Sequence, residues 1–413
     1  IEENCYWEQD IQFLNDLIAN SDLTIEPLEL GDQNWTNGRL TYFYTVDSDL
    51  KGEVPLSIGN LNELTYFYSY GNKFTGSIPD TVKNLSSLET FAIEYSDITG
   101  PIPESVSKII NLENLWLRGN QLSGAIPEEI SNLKNLVQLS LAYNDFTGEI
   151  PSTIGNLSNL KMLSIPGNDL SGSIPTELGS LTGLEFLKLS DNYLDGDIPI
   201  SIGNLVNLKS LELSNNKFSE GEIPSWIFNL TNLEVLHLGN NSFNGGIPKE
   251  IGNLKNLISL DLSSNQFSGS IPSEIGDLTN LTWGLSLNNN FLTGSIPPEI
   301  GNLIILERLF LSDNQFSGEI PAEIGELDSL KALWLNHNQL SGQVPETLCA
   351  LNLTWGNQNG WDISTIYNNQ LCPSYPDVLY PTCIAEFMGT QGGCSYEQYD
   401  GELYLKTDLQ FLK

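Results

Sequence analysis

Leucines alternate with polar residues in a short pattern that recurs along most of the chain, and residues 114–130 show it clearly. Leu115 and Leu117 are separated by a single residue, which is the period of a strand with one buried face. Asn120 closes this strand, and Gly124 permits a turn because glycine tolerates positive φ. The pattern therefore predicts a short strand, a turn and an irregular return path.

This unit repeats at a nearly fixed interval, which is the sequence signature of a solenoid. A proline follows the turn thirteen times, from Pro55 to Pro345; ten of the twelve intervals are 24 residues and two are 25. One coil cannot bury its leucines alone, so neighbouring coils must stack. We therefore expect an α/β repeat solenoid in which residues 40–348 form about 13 coils.

A polar residue closes the strand in every copy, and it is usually asparagine. An asparagine amide can donate and accept hydrogen bonds at once. Stacked asparagines can therefore satisfy backbone groups at the same bend of successive coils. This position holds Ser48, Asn72, Ser96, Asn120, Asn144, Asn168, Asn192, Asn216, Asn241, Asn265, Asn290, Asn314 and Asn338.

The two ends of the chain depart from the repeat. Residues 1–39 are expected to form an N-terminal cap, because the first coil would otherwise expose a leucine layer and a sheet edge. Apolar residues at helical spacing predict an amphipathic helix over residues 7–19. These residues are Trp7, Ile11, Leu14, Leu17 and Ile18.

Residues 349–394 are expected to form a second, cysteine-containing cap, followed by a tail of residues 395–413. In the tail, Leu403 alternates with Leu405, and Leu409 with Phe411, which is typical of a strand. Such a tail can fold back on its own cap or add to the sheet edge of a neighbouring molecule.

Charge and composition narrow the function classes. The formal net charge of −35 argues against nucleic acid and anionic membranes as partners. A solvated acidic surface explains this charge more simply than a cationic partner does. No apolar run reaches 18 residues, so we predict no membrane insertion. The chain starts without methionine or a signal peptide, and we expect a processed, mature product.

The cysteines and the Asn-x-Ser/Thr sequons favour an extracellular or cell-surface location. Four of the five cysteines lie in one block near the C-terminus, which is typical of an oxidising compartment. The sequons would carry glycans in a eukaryotic secretory pathway, although repeats rich in Asn, Leu, Ser and Thr also produce them by chance. They begin at Asn34, Asn84, Asn156, Asn229, Asn240, Asn280 and Asn352.

The first coils carry aromatic residues at the outward positions of their strands. Because adjacent strands lie about 4.8 Å apart, these side chains should form one contiguous patch. Exposed aromatic residues together with arginine are typical of binding surfaces, whereas cross-strand packing that shields the end of the sheet accounts for them equally well. The candidate ligand-binding residues are Tyr42, Tyr44, Tyr66, Tyr68, Tyr70, Trp116 and Arg118.

Few other residues suggest a catalytic or metal-binding site. Lys188, Glu212, His237 and Asp261 occupy the same outward position in four consecutive coils. An exposed row of charges explains them better than a metal site does. No Ser-His-Asp order, Cys-His pairing or phosphate-binding loop is present, so we predict no enzymatic activity, no metal and no cofactor.

One insertion interrupts a strand. Trp283-Gly284 adds a residue within the segment LTWGLSL. We expect a β-bulge there, which would increase the local twist and expose Trp283.

The motif LxxLxLxxNxLxGxIPxxIGNL resembles the plant-type leucine-rich-repeat family over roughly residues 40–350. The resemblance implies a curved, right-handed superhelix with a parallel sheet on the concave face and 3₁₀ or extended segments on the convex face. The tyrosine-rich patch would then lie on the concave face. The paired cysteines of the plant N-terminal cap are not matched, because Cys5 stands alone.

Both ends of the chain resemble the caps of secreted bacterial leucine-rich-repeat proteins. The segments that carry this resemblance are LELGDQNWTNGRLT, LNLTWGNQNGWDI and NNQLCPSYP. Cys349, Cys372, Cys383 and Cys394 allow three pairings, of which we favour Cys349–Cys372 with Cys383–Cys394. Cys5 would lie on the order of 60 Å from the other cap, so it is either free or paired with another chain.

These observations favour a non-catalytic extracellular protein that uses the concave face for recognition of a protein, peptide or glycan, for adhesion or for surface scaffolding. Two alternatives stay open. The chain can be a structural subunit that assembles end to end through its caps and tail, in which case its partner is another copy of itself. It can also be the ectodomain of a membrane receptor.

Overall fold

The structure is a computed structural model that describes residues 6–356 and 362–371, together with the backbone of residues 396–399 and 402–405. The chain divides into two compact units, Ile1–Phe218 and Ser219–Lys413. Each unit is built from the same coil, which consists of an inner strand, a turn-side strand and a 3₁₀ helix.

The first unit begins with the helix α1 (Glu8–Asn20), close to the predicted range 7–19. A strand hairpin follows, and then parallel strands succeed one another in chain order. The strands of this sheet are Asp32–Thr36, Arg39–Val46, Tyr66–Tyr70, Thr90–Glu94, Asn114–Trp116, Gln138–Ser140, Met162–Ser164, Phe186–Lys188 and Ser210–Glu212.

Short parallel strands and 3₁₀ helices line the outer side of these coils. The turn-side strands of the first unit are Lys51–Glu53, Lys73–Thr75, Thr99–Gly100, Gln121–Gly124, Asp145–Gly148, Asp169–Gly172, Tyr193–Gly196 and Lys217–Phe218. Its 3₁₀ helices are Pro27–Glu29, Leu56–Asn60, Asp80–Asn84, Glu104–Lys108, Glu128–Asn132, Ser152–Asn156, Thr176–Ser180 and Ile200–Asn204.

The second unit repeats this arrangement. Its inner strands are Val235–His237, Ser259–Asp261, Gly284–Ser286, Arg308–Phe310 and Ala332–Trp334. Its turn-side strands are Asn244–Gly245, Gln266–Gly269, Phe291–Gly294, Gln315–Gly318, Gln339–Gly342 and Gln370–Leu371. Its 3₁₀ helices are Ser225–Asn229, Lys249–Asn253, Ser273–Asp277, Pro298–Asn302, Ala322–Glu326 and Glu346–Ala350.

The core is the predicted stack of leucines, which changes to phenylalanine at the N-terminal end. Phe43, Phe67 and Phe91 are fully buried, and the ring centroids of Phe43 and Phe67 are 5.6 Å apart. Phe13 of α1 packs edge-on against Phe43 at 5.8 Å and against Phe67 at 6.2 Å. This contact covers the open end of the stack, so α1 is the cap that the first coil requires.

The buried face of α1 differs from the predicted one. Its buried residues are Asp10, Phe13, Leu14 and Leu17, whereas Trp7 is 54% exposed. Phe13 replaces Trp7 because it meets the phenylalanine rings of the first two coils. The polar Asp10 is buried because it pairs with Arg39 at 2.9 Å.

The predicted asparagine ladder is present in both units. The Asn144 amide donates to the Leu117 carbonyl of the preceding coil at 2.9 Å and to the Leu141 carbonyl at 3.1 Å. Its oxygen accepts the Leu122 amide at 3.0 Å. One side chain thus bridges two coils at a bend where strand hydrogen bonding stops.

The ladder continues beyond the predicted end of the repeat at residue 348. Asn369 donates to the Leu335 carbonyl at 2.9 Å and accepts the Leu340 amide at 3.1 Å. Ile366 and Leu371 are fully buried beside it. A further coil is therefore hidden inside the cysteine-containing segment, where its spacing to the preceding asparagine is too long for the repeat to reveal it.

Cysteine pairing and the last part of the tail largely fall outside the described residues. Cys349 is disulfide-bonded. Cys5, Cys372, Cys383 and Cys394 lie outside the described residues, as do Leu409 and Phe411. The favoured pairing therefore stays a prediction.

The tail does form a strand, and its partner lies in the same chain. The strand Glu402–Leu405 pairs antiparallel with Tyr396–Tyr399. Both strands of this hairpin lie within the tail, so packing on the chain's own cap and addition to a neighbouring molecule both stay predictions.

The strand with the inserted residue contains no break in register. Gly284 pairs with Ser259, and Leu285 pairs with Leu260. The extra residue is accommodated just before the strand, because the inward leucine must keep its place in the stack. Trp283 is 55% exposed, as expected. Within the described residues, no helix combines the length and apolarity needed to cross a membrane.

Candidate ligand-binding surface

The solvent side of the inner sheet of the first unit, which we call the sheet face, carries four tyrosines in a regular block. Tyr42 stacks on Tyr66 at 4.7 Å with an interplanar angle of 11°, and Tyr44 stacks on Tyr68 at 5.0 Å with an angle of 10°. The stacked rings are nearly parallel, and we call Tyr42, Tyr44, Tyr66 and Tyr68 the tyrosine deck. The tyrosine deck therefore turns its ring edges and hydroxyl groups outward, while the ring faces are used for packing.

The C-terminal end of the tyrosine deck meets a half-buried carboxylate. Tyr68 is hydrogen-bonded to Glu94, and burial together with this carboxylate raises the pKa of Tyr68 far above its usual value. Burial also raises the pKa of Glu94, against the opposing effects of the Tyr68 hydrogen bond and the positive charge of Arg118. Glu94 thus keeps its negative charge less readily than an exposed glutamate does.

Arg118 is held between two tyrosine rings. Its Cζ lies 5.2 Å from the ring centroid of Tyr95 and 5.0 Å from that of Tyr143. Glycines of the next coils make room for these rings, since a Cβ at Gly119 would lie 2.7 Å from Tyr95 and one at Gly167 would lie 2.6 Å from Tyr143. Cation–π contacts on both faces fix the guanidinium before any ligand arrives.

Trp116 stands beside Arg118 and continues the aromatic surface of the deck. Its ring meets Tyr68 edge to face at 6.2 Å. Both Trp116 Nε1 and Arg118 Nε are shielded from solvent and have no acceptor among the described residues. Shielded donors without acceptors are uncommon in folded proteins.

Beyond these residues the sheet face forms an open groove of about 430 Å³. Small or smooth side chains make its floor, and the ion pair between Lys188 and Glu212, at 2.8 Å, forms its far end. We call this the sheet-face groove. It is lined by Glu94, Trp116, Arg118, Gln138, Ser140, Ala142, Tyr143, Met162, Ser164, Pro166, Lys188 and Glu212.

The structure separates the predicted binding residues into three sets. Tyr42, Tyr44, Tyr66 and Tyr68 form the deck, in which cross-strand packing occupies the ring faces. Tyr70 packs on Tyr95 at 5.0 Å. Trp116 and Arg118 belong to the sheet-face groove.

Sequence reasoning missed Glu94, Tyr95 and Tyr143. The tyrosines directly precede the asparagine position, where the backbone has a positive φ of 49° at Tyr95 and 54° at Tyr143. A bulky residue at such a position is uncommon and indicates a special role. The alternation Tyr95, Gly119, Tyr143, Gly167 was the available signal.

The predicted row of charges is divided between ion pairing and hydrogen bonding. In the first unit, Lys188 pairs with Glu212. In the second unit, the His237 ring nitrogen and the Ser259 hydroxyl are 2.8 Å apart, while Asp261 accepts hydrogen bonds from Ser263. Within the described residues, no group of three or more His, Cys, Asp or Glu side chains is arranged to hold a metal ion.

All seven sequon asparagines are exposed. Asn84, Asn156 and Asn229 end 3₁₀ helices on the outer side of the coils. Asn280 lies on the same side, but its amide donates to the Lys255 carbonyl at 2.8 Å. Asn34 is different, because it lies in the inner sheet.

Replacing Glu94 by glutamine is expected to change how stability depends on pH. Because the pKa of Glu94 is raised above its ordinary value of 4.5 in the folded protein, this group stabilises the fold below that value and loses the contribution as pH rises through the raised pKa. The difference in denaturation midpoint between Glu94→Gln and wild type should therefore grow from about pH 4 to pH 7. Glu89→Gln, at an exposed acidic residue of the same coil, is the matched control; a flat difference for Glu94→Gln would contradict the prediction.

Solved structures of receptors are similar to this chain in architecture. A TDR receptor is 34% identical with a TM-score of 0.74, and the match covers 81% of this chain and 57% of that one. The plant peptide hormone receptor RGFR1, solved in complex with RGF2, is 34% identical with a TM-score of 0.69, covering 81% and 56%. This chain thus spans little more than half the length of either receptor structure.

A bacterial protein matches over nearly its whole length. A leucine-rich-repeat protein of Leptospira interrogans is 30% identical with a TM-score of 0.66, and the match covers 88% of each chain. A search of curated proteins gives no match.

Family models match the repeats directly. The model described as a leucine-rich repeat region matches residues 175–283. The model described as a leucine rich repeat matches residues 111–133, 135–157, 159–181, 284–303, 306–327 and 329–351. With the predicted coil observed in both units, these matches show that the chain belongs to the leucine-rich-repeat family.

Proposed function

We propose that this chain is a non-catalytic extracellular recognition protein that binds an extended segment of a protein or peptide in the sheet-face groove. The observation that carries this proposal is the arginine held between Tyr95 and Tyr143 at one end of a smooth-floored groove. Rigid aromatic residues and arginine contribute much of the binding energy in protein interfaces. A side chain already fixed before binding loses little entropy when the ligand arrives.

The shape and chemistry of the groove suit an extended chain. Ser140 and Ser164 lie in register on neighbouring strands and keep the floor low. Trp116 and Tyr143 offer apolar contact at one end. An extended chain can lie along this floor and contact Trp116, Arg118 and Tyr143 at one end.

The relatives give independent support for this ligand class. RGFR1 was solved in complex with RGF2, and another structural relative is the ectodomain of a plant membrane receptor kinase in complex with CASPARIAN STRIP INTEGRITY FACTOR 2. An extracellular location for this chain draws support from the same relatives and from the disulfide bond of Cys349.

A peptide selection tests the proposal without knowledge of the natural ligand. Random peptides displayed on phage are selected on the full chain, and the affinity of each enriched peptide is measured for Trp116→Ala and Arg118→Ala. Each variant should weaken binding about tenfold or more, which corresponds to about 1.4 kcal/mol. Arg118→Lys should also weaken it, because lysine keeps the charge but loses the planar stack between the tyrosine rings.

The matched control is Trp283→Ala, which removes an exposed tryptophan from the second unit. It should leave the affinity of groove-binding peptides unchanged. Circular dichroism confirms that each variant keeps its fold. Enriched peptides that bind all groove variants as well as wild type would show that recognition occurs elsewhere.

A further inference from the structure

The first strand of the sheet places an asparagine directly beside the tyrosine deck. The strand Asp32–Thr36 pairs antiparallel with Arg39–Val46, and Asn34 lies opposite Tyr42 in this pairing. Side chains of directly opposed residues point to the same face, with Cβ atoms about 4.5–5.5 Å apart. Asn34 therefore projects from the sheet face next to the Tyr42 ring.

The orientation of Tyr42 turns one ring face toward this asparagine. One face packs on Tyr66, whose ring is nearly parallel at 11° and centred 4.7 Å away on the next strand. The other face of the Tyr42 ring therefore points away from Tyr66, toward the neighbouring strand on the opposite side. The strand on that side is Asp32–Thr36, which carries Asn34.

Asn34 begins the sequon Asn34-Trp35-Thr36, which differs from most of the others in origin. Five of the seven sequons are Asn-Leu-Ser or Asn-Leu-Thr, and four of these five lie within the repeats, which are themselves rich in such residues. Asn34 precedes the first coil and has tryptophan in the middle position. Asn34 and Thr36 are both exposed and alternate with the less exposed Gln33 and Trp35, although the pairing register shifts between Asn34 and Trp35.

We propose that Asn34 carries an N-linked glycan whose first N-acetylglucosamine packs against the free ring face of Tyr42. In this modification Asn34 Nδ2 forms a bond to C1 of the sugar and gives up one proton. The bond from C1 to the pyrophosphate of the lipid-linked oligosaccharide donor breaks, and the lipid pyrophosphate leaves. The C–H groups on one side of the pyranose ring then lie on an apolar aromatic face, which the half-buried Tyr42 otherwise offers to water.

The packed sugar would cover the N-terminal end of the tyrosine deck. It would also be bulky and strongly hydrated, so a partner could not approach the sheet face over Tyr42 and Tyr44. The accessible part of the sheet face would then begin at Tyr68 and Trp116. This consequence agrees with recognition in the sheet-face groove, but the glycan assignment does not depend on it.

Mass spectrometry of the full chain secreted from eukaryotic cells tests occupancy of Asn34. We expect most molecules to carry a glycan there. Asn156 is the control sequon, because it ends a 3₁₀ helix on the outer side of the coils. Occupied Asn156 together with unoccupied Asn34 would overturn the proposal.

A double-mutant cycle tests the packing on Tyr42. Thr36→Val removes the sequon but keeps Asn34, and it should lower the melting temperature by about 2 °C or more in the presence of Tyr42. In a Tyr42→Ala background, Thr36→Val should hardly change the melting temperature, because the glycan has no ring to pack against. Asn156→Gln should shift the melting temperature equally in both backgrounds, and an equal shift for Thr36→Val would overturn the packing.

Two further measurements show whether the first sugar of the attached glycan is the stabilising group. Trimming the glycan to a single N-acetylglucosamine with endoglycosidase H should preserve the stabilisation, because the packed sugar stays in place; loss of the effect would contradict the proposal. Unglycosylated protein from bacteria should bind added chitobiose only at millimolar concentrations, as followed by NMR shifts. Micromolar binding would instead identify a site for free sugars and overturn the assignment.

Discussion

Replacing Asp10 by alanine is expected to destabilise the N-terminal cap by about 3 kcal/mol or more. Asp10 is fully buried, and both of its oxygens bind the Arg39 guanidinium, at 2.9 and 3.1 Å. One oxygen also accepts the Leu40 backbone amide at 2.8 Å. Alanine would leave that amide without an acceptor and a half-buried arginine without its carboxylate, and each loss is unfavourable.

The contacts of Arg39 explain why this ion pair holds the cap to the first coils. The guanidinium also donates to the Asn60 carbonyl at 3.1 Å and to Asn62 Oδ1 at 2.7 Å, and it lies 5.0 Å from the Trp7 ring centroid. Through Arg39, Asp10 therefore joins α1 to the strand Arg39–Val46 and to Asn60 and Asn62, which precede the next inner strand. The aromatic packing of Phe13 gives this interface its apolar area, while the ion pair fixes its register.

Hydrogen exchange of the amides in α1 measures this loss locally, which is preferable because long repeat arrays unfold in parts. The matched control is Glu8→Ala, which removes an exposed acidic residue from the first turn of the same helix. It should change stability by less than about 1 kcal/mol. Asp10→Ala combined with Arg39→Ala should lose little more than Asp10→Ala alone; additive losses would show that the two residues do not act as a pair.

Periodicity predicted the fold because each repeated residue meets the same neighbours in every coil. Leu115, Asn120 and Gly124 each have the same structural role as the residues at their positions in the other coils. The sequence evidence for the fold is therefore repeated in every copy. The cap helix was also predictable from its apolar spacing. Its buried face was not, because the burial of Phe13 and Asp10 depends on partners about thirty residues away in the chain.

The candidate site could not be predicted from the repeat in the same way. Outward residues differ from coil to coil, and their meaning comes from which neighbours they touch. The sequence identified Arg118 as outward-facing, but the clamp around it depends on Tyr95 and Tyr143 and on the glycines that admit their rings. The tyrosine deck shows the opposite case, in which predicted exposed residues use their ring faces on each other.

The asparagine ladder leads to the second large prediction, which concerns Asn168. Its amide donates to the carbonyls of Leu141 and Ile165, each at 3.1 Å, and its oxygen accepts the Phe146 amide at 3.1 Å. The side chain is only 7% exposed, so water cannot replace these partners easily. Asn168→Ala should therefore destabilise these coils by about 2–3 kcal/mol, since an unsatisfied buried polar group costs roughly 1 kcal/mol or more.

Two substitutions distinguish the hydrogen bonds from simple loss of side-chain volume. Asn168→Ser should be intermediate, because serine occupies the same position naturally at Ser96, where its hydroxyl donates to the Asn72 carbonyl at 3.2 Å. Asn168→Asp keeps the shape and the acceptor but loses the donors and places a carboxylate near the Leu141 and Ile165 carbonyls. It should be at least as destabilising as alanine at pH 7 and should recover at low pH, where the protonated carboxyl donates again.

The control for these changes is Asn159 in the same coil, whose amide makes one hydrogen bond, to the Lys134 carbonyl at 2.9 Å, from an exposed position. Asn159→Ala should cost less than about 1 kcal/mol, because water can take the place of that partner. Hydrogen exchange at the Phe146 and Leu170 amides reports on the ladder directly, since each is bound by an asparagine oxygen in the next coil. Equal losses for Asn159→Ala and Asn168→Ala would mean that burial does not set the strength of the ladder. A clear difference would mean that the coils are joined by amides kept from water, which is why the asparagine position recurs so regularly in this chain.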